Sequence, residues 1–166
     1  IISWLLFRPK NYNEYNQDLP FVSVVIAARN EEKNISVLLD DLINQAIDKN
    51  NFEVIVSNDR SEDETKNIIT KYSKQHEFIK CIHVTRKTDM ASKKYALEQA
   101  IRNSKGKIIL ATDADCRVPK HWATSMATLV NKENKVVIGY SKIKSVSTLI
   151  NEIQKIDFLG IMASNG

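Results

Sequence analysis

Phe21-Val22-Ser23-Val24-Val25-Ile26-Ala27-Ala28-Arg29-Asn30-Glu31-Glu32 is an apolar run that ends abruptly in charged and polar residues. Its β-branched valines and isoleucine, broken only by Ser23, read as a strand covered on both faces, as strands of parallel sheets are. Asn30 then suits an N-cap and Glu31 and Glu32 a first helical turn. Beyond them Ile35, Leu38, Leu39, Leu42, Ile43 and Ala46 recur at helical spacing. The stretch therefore predicts one strand followed by one helix.

Working outward, the same alternation repeats. Residues 52–57 read as a second strand, and Ser61 and Glu64 stand at capping-box spacing before a helix running to about residue 72. A third strand is expected over 78–84, then a helix over 92–103 carrying Ala96, Leu97, Ala100 and Ile101, then a fourth strand over 107–112. Pro119 suits a first helical turn, with Trp122, Met126, Leu129 and Val130 on one side of the helix that follows. A further strand over 135–140 and a helix over 145–162, with Leu149, Ile153, Ile156 and Leu159, complete the expectation. Strand–helix alternation ending in a strand implies an α/β fold: a Rossmann-like, doubly wound, mostly parallel sheet with helices on both faces.

The bulk numbers fit one such domain over 21–166. With 166 residues, 43% of them hydrophobic, the chain can bury a core. Its net charge of +4 is spread among acidic residues rather than gathered in blocks, which argues against a nucleic-acid partner. Cys81 and Cys116 lack CxxC spacing, so neither a zinc knuckle nor a disulfide scaffold is expected, and a reducing, cytoplasmic setting follows. Residues 1–20 form a separate piece. Its start, Ile1-Ile2-Ser3-Trp4-Leu5-Leu6-Phe7, ends at Arg8-Pro9-Lys10 and reads either as an apolar arm or as the end of a membrane anchor. By itself it is far short of the roughly 20 residues a spanning helix needs.

Ligands of open parallel sheets bind beyond the carboxyl ends of the strands, and the polar clusters stand there. Arg29-Asn30-Glu31 follows the first strand, Asn58-Asp59-Arg60-Ser61 the second and Asp113-Ala114-Asp115 the fourth. No glycine precedes Gly106, which removes both the dinucleotide fingerprint and the P-loop. A metal can neutralise phosphate instead. Carboxylates one residue apart at a strand end suit Mg²⁺ or Mn²⁺, which bind through few carboxylates plus substrate phosphates. The same acids would also suit a solvated turn.

Three motifs in order narrow the choice. Val22-Ser23-Val24-Val25-Ile26-Ala27-Ala28-Arg29-Asn30-Glu31-Glu32, Asn58-Asp59-Arg60-Ser61-Glu62-Asp63-Glu64-Thr65 and Thr112-Asp113-Ala114-Asp115-Cys116 resemble the family 2 glycosyltransferases with the GT-A fold. Ser92-Lys93-Lys94-Tyr95-Ala96-Leu97-Glu98 resembles the family's segment before its metal motif. The resemblance implies a nucleoside diphosphate sugar donor, with UDP-sugar the expected type, a divalent metal (Mn²⁺ or Mg²⁺), and transfer with inversion to a glycan or lipid-linked hydroxyl. It implies that Ala27, Arg29 and Glu31 line the nucleotide pocket, that Asn58 or Asp59 meets the base edge, and that Lys93 approaches the diphosphate. Asp113 would hold the ribose or a metal-bound water, and Asp115 would ligate the metal.

The sequence departs from the family pattern at three places. Asn58 stands for an acid, Ala27 for a proline, and Ser92-Lys93 for glycine-lysine. The family's general base lies in a later segment and is expected beyond Gly166, so the chain reads as the truncated, nucleotide-sugar-binding part. Family habit also places such a domain at the cytoplasmic face of the cell membrane. Two other readings stay open. One is a nucleotide-sugar-binding module without turnover. The other is a nucleotidyltransferase, against which stands Arg29-Asn30-Glu31 where that class carries a glycine-rich loop.

Overall fold

A computed structural model describes residues 19–85, 91–130 and 135–139. The chain divides into two compact units, Ile1–Val136 and Val137–Gly166, and the regular structure among the described residues lies in the first. Four parallel strands, β1 (Val22–Ala28), β2 (Phe52–Asp59), β3 (Ile79–Val84) and β4 (Ile108–Ala111), form one sheet in the order β3-β2-β1-β4. Four α-helices connect or follow them: α1 (Ile35–Ile43), α2 (Thr65–Gln75), α3 (Ser92–Arg102) and α4 (Trp122–Leu129).

Side chains alternate across the sheet, and the alternation sorts the core into two layers. Val22, Val24, Ile26 and Ala28 of β1 pack with Val54 and Val56 of β2 under Ile35, Leu38, Leu39 and Leu42 of α1, Ile69 of α2 and Ala123 and Ala127 of α4. On the opposite face Val25 and Ile55 meet Ala100 of α3, with Ile82 and Leu97 beside them. Helices thus cover both faces, as the strand–helix alternation predicts.

The strand order carries the functional consequence. From β1 the chain steps outward to β2 and β3, then returns through α3 to place β4 on the other side of β1. At such a reversal the connections leave β1 and β4 in opposite directions and open a crevice above their carboxyl ends.

At the opposite, amino-terminal edge, a buried polar brace closes the sheet. Glu53, 2% exposed, accepts hydrogen bonds from Ser23 Oγ at 2.7 Å and the Lys105 amide at 2.6 Å, and pairs with Lys80 Nζ at 2.5 Å. Gly106 donates its N–H to Ser23 Oγ at 2.8 Å, and a Cβ there would lie 2.6 Å from the Ser23 backbone nitrogen. Glycine is therefore what lets the chain enter β4 against β1.

Some expectations fail for identifiable reasons. Ile101 and Leu129, placed on packed helix sides by spacing, are 40% and 39% exposed, because α3 buries the narrower Ala96–Ala100 stripe and α4 turns Ala123 and Ala127 inward. The strand expected over 135–140 is not formed over 135–139: these residues have no regular structure, and Val136 and Ile138 stand exposed with no pairing strand among the described residues. The expectations for residues 1–18 and for a helix over 145–162 lie outside the described residues. No helix among the described residues is long and apolar enough to cross a membrane.

Candidate functional site

The loops at the carboxyl ends of β1 and β2 are bound to one another. Asn30 and Arg60 both adopt left-handed backbone, with φ of 55° and 53°. The Asn30 amide donates to Ser61 Oγ at 3.1 Å, and Asn30 Oδ1 accepts from the Glu62 amide at 2.9 Å. The Glu31 amide donates to Thr65 Oγ1 at 2.7 Å, the Glu32 amide to Asp63 Oδ2 at 3.1 Å, and Glu32 Oε2 accepts from the Glu64 amide at 3.1 Å.

These bonds overturn two readings of helix starts. Asn30 is not an N-cap, since α1 begins at Ile35 with Asn34 before it, and Glu31 and Glu32 precede the first turn. The Ser61/Glu64 capping box is not formed either: α2 begins at Thr65, and Ser61 serves the neighbouring loop. Polar residues after a strand have two sets of orphan amides within reach, and here the other loop's amides win.

Asn30→Ala is expected to destabilise the fold by about 2 kcal/mol, since it loses a hydrogen bond and puts a Cβ-bearing residue without a compensating amide in left-handed backbone. Asn30→Gly, which loses only the bond, should cost about half as much. Urea unfolding of the pair checks the order, and equal costs would mean that the backbone conformation carries no penalty.

Strand alternation separates Asn58 from Asp59. Asn58 is in register with Ala28 and His83, on the α1 and α2 face; it is buried at 4% exposure, and Oδ1 has no hydrogen-bond partner. Asp59 is in register with Val84, on the α3 face, and is 3% exposed. Its Oδ1 accepts from Arg60 Nε at 2.8 Å, while Oδ2 accepts from Ser92 Oγ, which in turn accepts from Arg60 Nη2. Burial alone would raise the Asp59 pKa, but the hydrogen bonds from Arg60 and Ser92 and the charges of Arg60 and Arg29 outweigh it, and the carboxyl is held below its ordinary value.

One residue along α3 from Ser92, Lys93 Nζ pairs with Asp113 Oδ1 at 2.8 Å. The hydrogen bond to Asp113 raises the Lys93 pKa, with help from the charges of Asp113 and Asp115, so Lys93 is a cation facing a small acidic group. Both partners of the pair are more than half exposed, at 67% and 57%, so the pair adds little stability. Asp113 and Asp115 are exposed and flank buried Ala114 where the chain leaves β4; the turn closes through the Cys116 amide on Asp113 O at 3.2 Å.

The segment beyond this turn is fastened to α1. Gln45 Nε2 donates to Pro119 O and Oε1 accepts from the Ala123 amide, each at 2.9 Å, while Arg117 Nε meets Asp41 Oδ2 at 2.6 Å.

Of the residues singled out in the sequence, Asp59, Lys93, Asp113 and Asp115 come together around the start of α3. Ala27, on the α3 face, is half-buried, and Arg29 is exposed, its charge felt at Asp59. Glu31 turns part of its side chain to a local role, Oε2 accepting from Asn34 Nδ2 at 2.8 Å. Sequence reasoning missed Arg60 and Ser92 as partners of Asp59, and Thr65 and Gln45 as fasteners; their adjacency to motif residues was the available signal for the first two.

The donor set can be tested against a divalent cation. Among the described residues no group of three or more His, Cys, Asp or Glu side chains gathers. Among the described residues the Asp113 carboxylate pairs with Lys93, whose ammonium also feels the charge of Asp115. Two exposed carboxylates with a cation beside them fit Mg²⁺ or Mn²⁺ sharing a substrate's phosphate oxygens, and do not fit an all-protein cage.

The fold and site define an α/β domain with a parallel sheet whose strand order reverses at β1 and β4, with carboxylates and a lysine gathered around the start of α3. A family model described as Glycosyl transferase family 2 matches residues 23–160, and the chain belongs to that family. It is 33% identical over 129 residues to the Beta-monoglucosyldiacylglycerol synthase of Trichormus variabilis, covering 76% of this chain and 27% of that protein. Among solved structures, the mannosyltransferase PcManGT from Pyrobaculum calidifontis in complex with GDP-Man and Mn²⁺ is similar with a TM-score of 0.61 and 26% identity, over 70% of this chain and 34% of that one. S. aureus TarS in complex with UDP is similar with a TM-score of 0.57 and 27% identity, over 66% of this chain and 31% of that one. The chain thus spans roughly a third or less of the length of each of these proteins.

Proposed function

We propose that this chain is the donor-binding part of a metal-dependent, inverting glycosyltransferase that takes a sugar from a nucleoside diphosphate sugar, UDP-sugar being the leading candidate, and passes it to a hydroxyl of a lipid-linked or glycan acceptor at the cytoplasmic face of a membrane. The observation that carries the reading is the gathering of Asp59, Lys93, Asp113 and Asp115 around the start of α3, beside the carboxyl ends of β2 and β4. Similarity to structures holding UDP in one case and GDP-Man with Mn²⁺ in another supports the donor class and the metal. Similarity to a diacylglycerol glycoside synthase supports a lipid-linked acceptor.

In this reading Ala27, Arg29 and Glu31 line the nucleotide pocket and Asp59 meets the base edge, its ionised carboxylate accepting a ring N–H. Asn58, on the other face of the sheet, does not share that task. Lys93 brings a point charge to the diphosphate, and its pairing with Asp113 keeps the ammonium aimed there when the donor is absent. Asp113 and Asp115 would hold the divalent cation, which supplies charge neutralisation for the departing nucleoside diphosphate. Inversion requires the acceptor hydroxyl to attack the anomeric carbon opposite the leaving group and lose its proton to a carboxylate. None of the described residues is assigned that proton.

Calorimetric titration of UDP and of GDP into the protein, with Mn²⁺ and then with EDTA, tests the reading. Binding of at least one nucleotide that Mn²⁺ tightens tenfold or more is expected, about 1.4 kcal/mol. Failure of both nucleotides under both conditions would sink it.

A further inference from the structure

Asp59, Arg60 and Ser92 close a ring. Arg60 donates to Asp59 Oδ1 and to Ser92 Oγ, and Ser92 donates to Asp59 Oδ2. Because a guanidinium only donates, the Ser92 hydroxyl proton is directed at the carboxylate. Ser92 is the first residue of α3, whose N-cap residue Ala91 makes no side-chain cap bond. The apolar contacts of α3 begin later, at Ala96 and Ala100. Among the described residues the ring is therefore the polar tie between the start of α3 and the end of β2, and the next residue, Lys93, ties the same helical turn to Asp113 beyond β4.

We propose that Ser92 is a positioning residue that couples recognition of the base at Asp59 to recognition of the diphosphate at Lys93. The inference rests on the donor-site reading above. Adjacent residues of one turn sit at a fixed separation of about 3.8 Å between Cα atoms, so a hydroxyl bound to the base-reading carboxylate sets where the lysine stands. An ionised carboxylate has about four lone-pair directions, and the ring leaves acceptor capacity for a ring N–H of the base. The groups facing Asp59 are Arg60 on its own loop, Arg29 from the loop after β1, Val84 from β3 and Ser92 from α3. The ring bonds favour the charged carboxylate, so removing the Ser92 hydroxyl moves its protonation to higher pH.

The test compares wild type, Ser92→Ala and Ser92→Thr, with UDP and inorganic pyrophosphate as probes in Mn²⁺, over a range of pH. The buried stripe of α3 at Ala96 and Ala100 is untouched by the change, so the fold is retained, and the urea unfolding midpoint checks this. Ser92→Ala is expected to weaken UDP about tenfold and pyrophosphate by less, to shift the acid limb of UDP binding upward in pH, and to be rescued on both counts by Ser92→Thr. Equal losses for the two probes with an unmoved acid limb would reduce Ser92 to a packing role and overturn the proposal. So would wild-type behaviour in Ser92→Ala. If wild type binds neither UDP nor GDP, the donor-site reading falls and takes the proposal with it; if wild type binds and Ser92→Ala matches it, only the coupling falls.

Discussion

Asp115→Ala should lose the Mn²⁺-dependent part of UDP binding, a fall of about 100-fold or more, while its folding stability stays within about 0.5 kcal/mol of wild type. The two halves of this expectation come from different facts. Asp115 is exposed, and among the described residues its carboxylate acts on Lys93 through charge alone, so its removal leaves the packing of the described core untouched. Changes to groups that merely orient metal ligands already cost about 10- to 100-fold in metal affinity, so removal of the proposed direct ligand sets the upper figure as a floor. Titrating UDP into the variant with Mn²⁺ and with EDTA gives the answer: if Mn²⁺ still tightens UDP as it does for wild type, the cation is held elsewhere.

The second large effect lies at the other end of the sheet. Glu53→Ala is expected to cost about 3–5 kcal/mol, because it leaves Ser23 Oγ and the Lys105 amide without their acceptor and Lys80 without its partner. Glu53→Gln keeps the acceptor oxygen and should cost less than half of that. The pH dependence has a definite sign. Burial would raise the Glu53 pKa, but the bonds from Lys80, Lys105 and Ser23 outweigh it and hold the folded value below the ordinary one. Its stabilisation is then fully present above the unfolded value of about 4.3 and is lost as pH falls through the folded value. Wild type should accordingly lose stability on acidification below about pH 4.3, and Glu53→Gln should show a flatter acid limb in urea unfolding. Identical acid limbs would show that Glu53 does not carry this dependence.

How much of this was legible in the sequence depends on the range of the interaction. The strands β1 and β2 were readable because parallel, doubly covered strands need apolar residues at nearly every position, and Val22 to Ala28 supplies them. That Asp59, Asp113 and Asp115 lie at one end of the sheet was readable because a parallel sheet gathers its carboxyl ends. What failed involved partners about thirty residues apart: Asn30 and Ser61 each looked like a helix cap, and each was taken by the other's loop. Spacing along the chain cannot rank a local amide against a distant one. The choice between Asn58 and Asp59 needed the register with Ala28 and Val84, which assigns them to opposite faces. Residues 135–140 resembled a strand, but a strand is made by its neighbour, and among the described residues none pairs with 135–139.

The mutual bonding of Asn30 and Glu32 with residues 61–64 also bears on how such a domain can be re-engineered. Neither loop is an independent cassette. Lengthening one by a residue would strip the amides of both, so a swap of nucleotide preference between relatives would have to carry the two segments together as one graft.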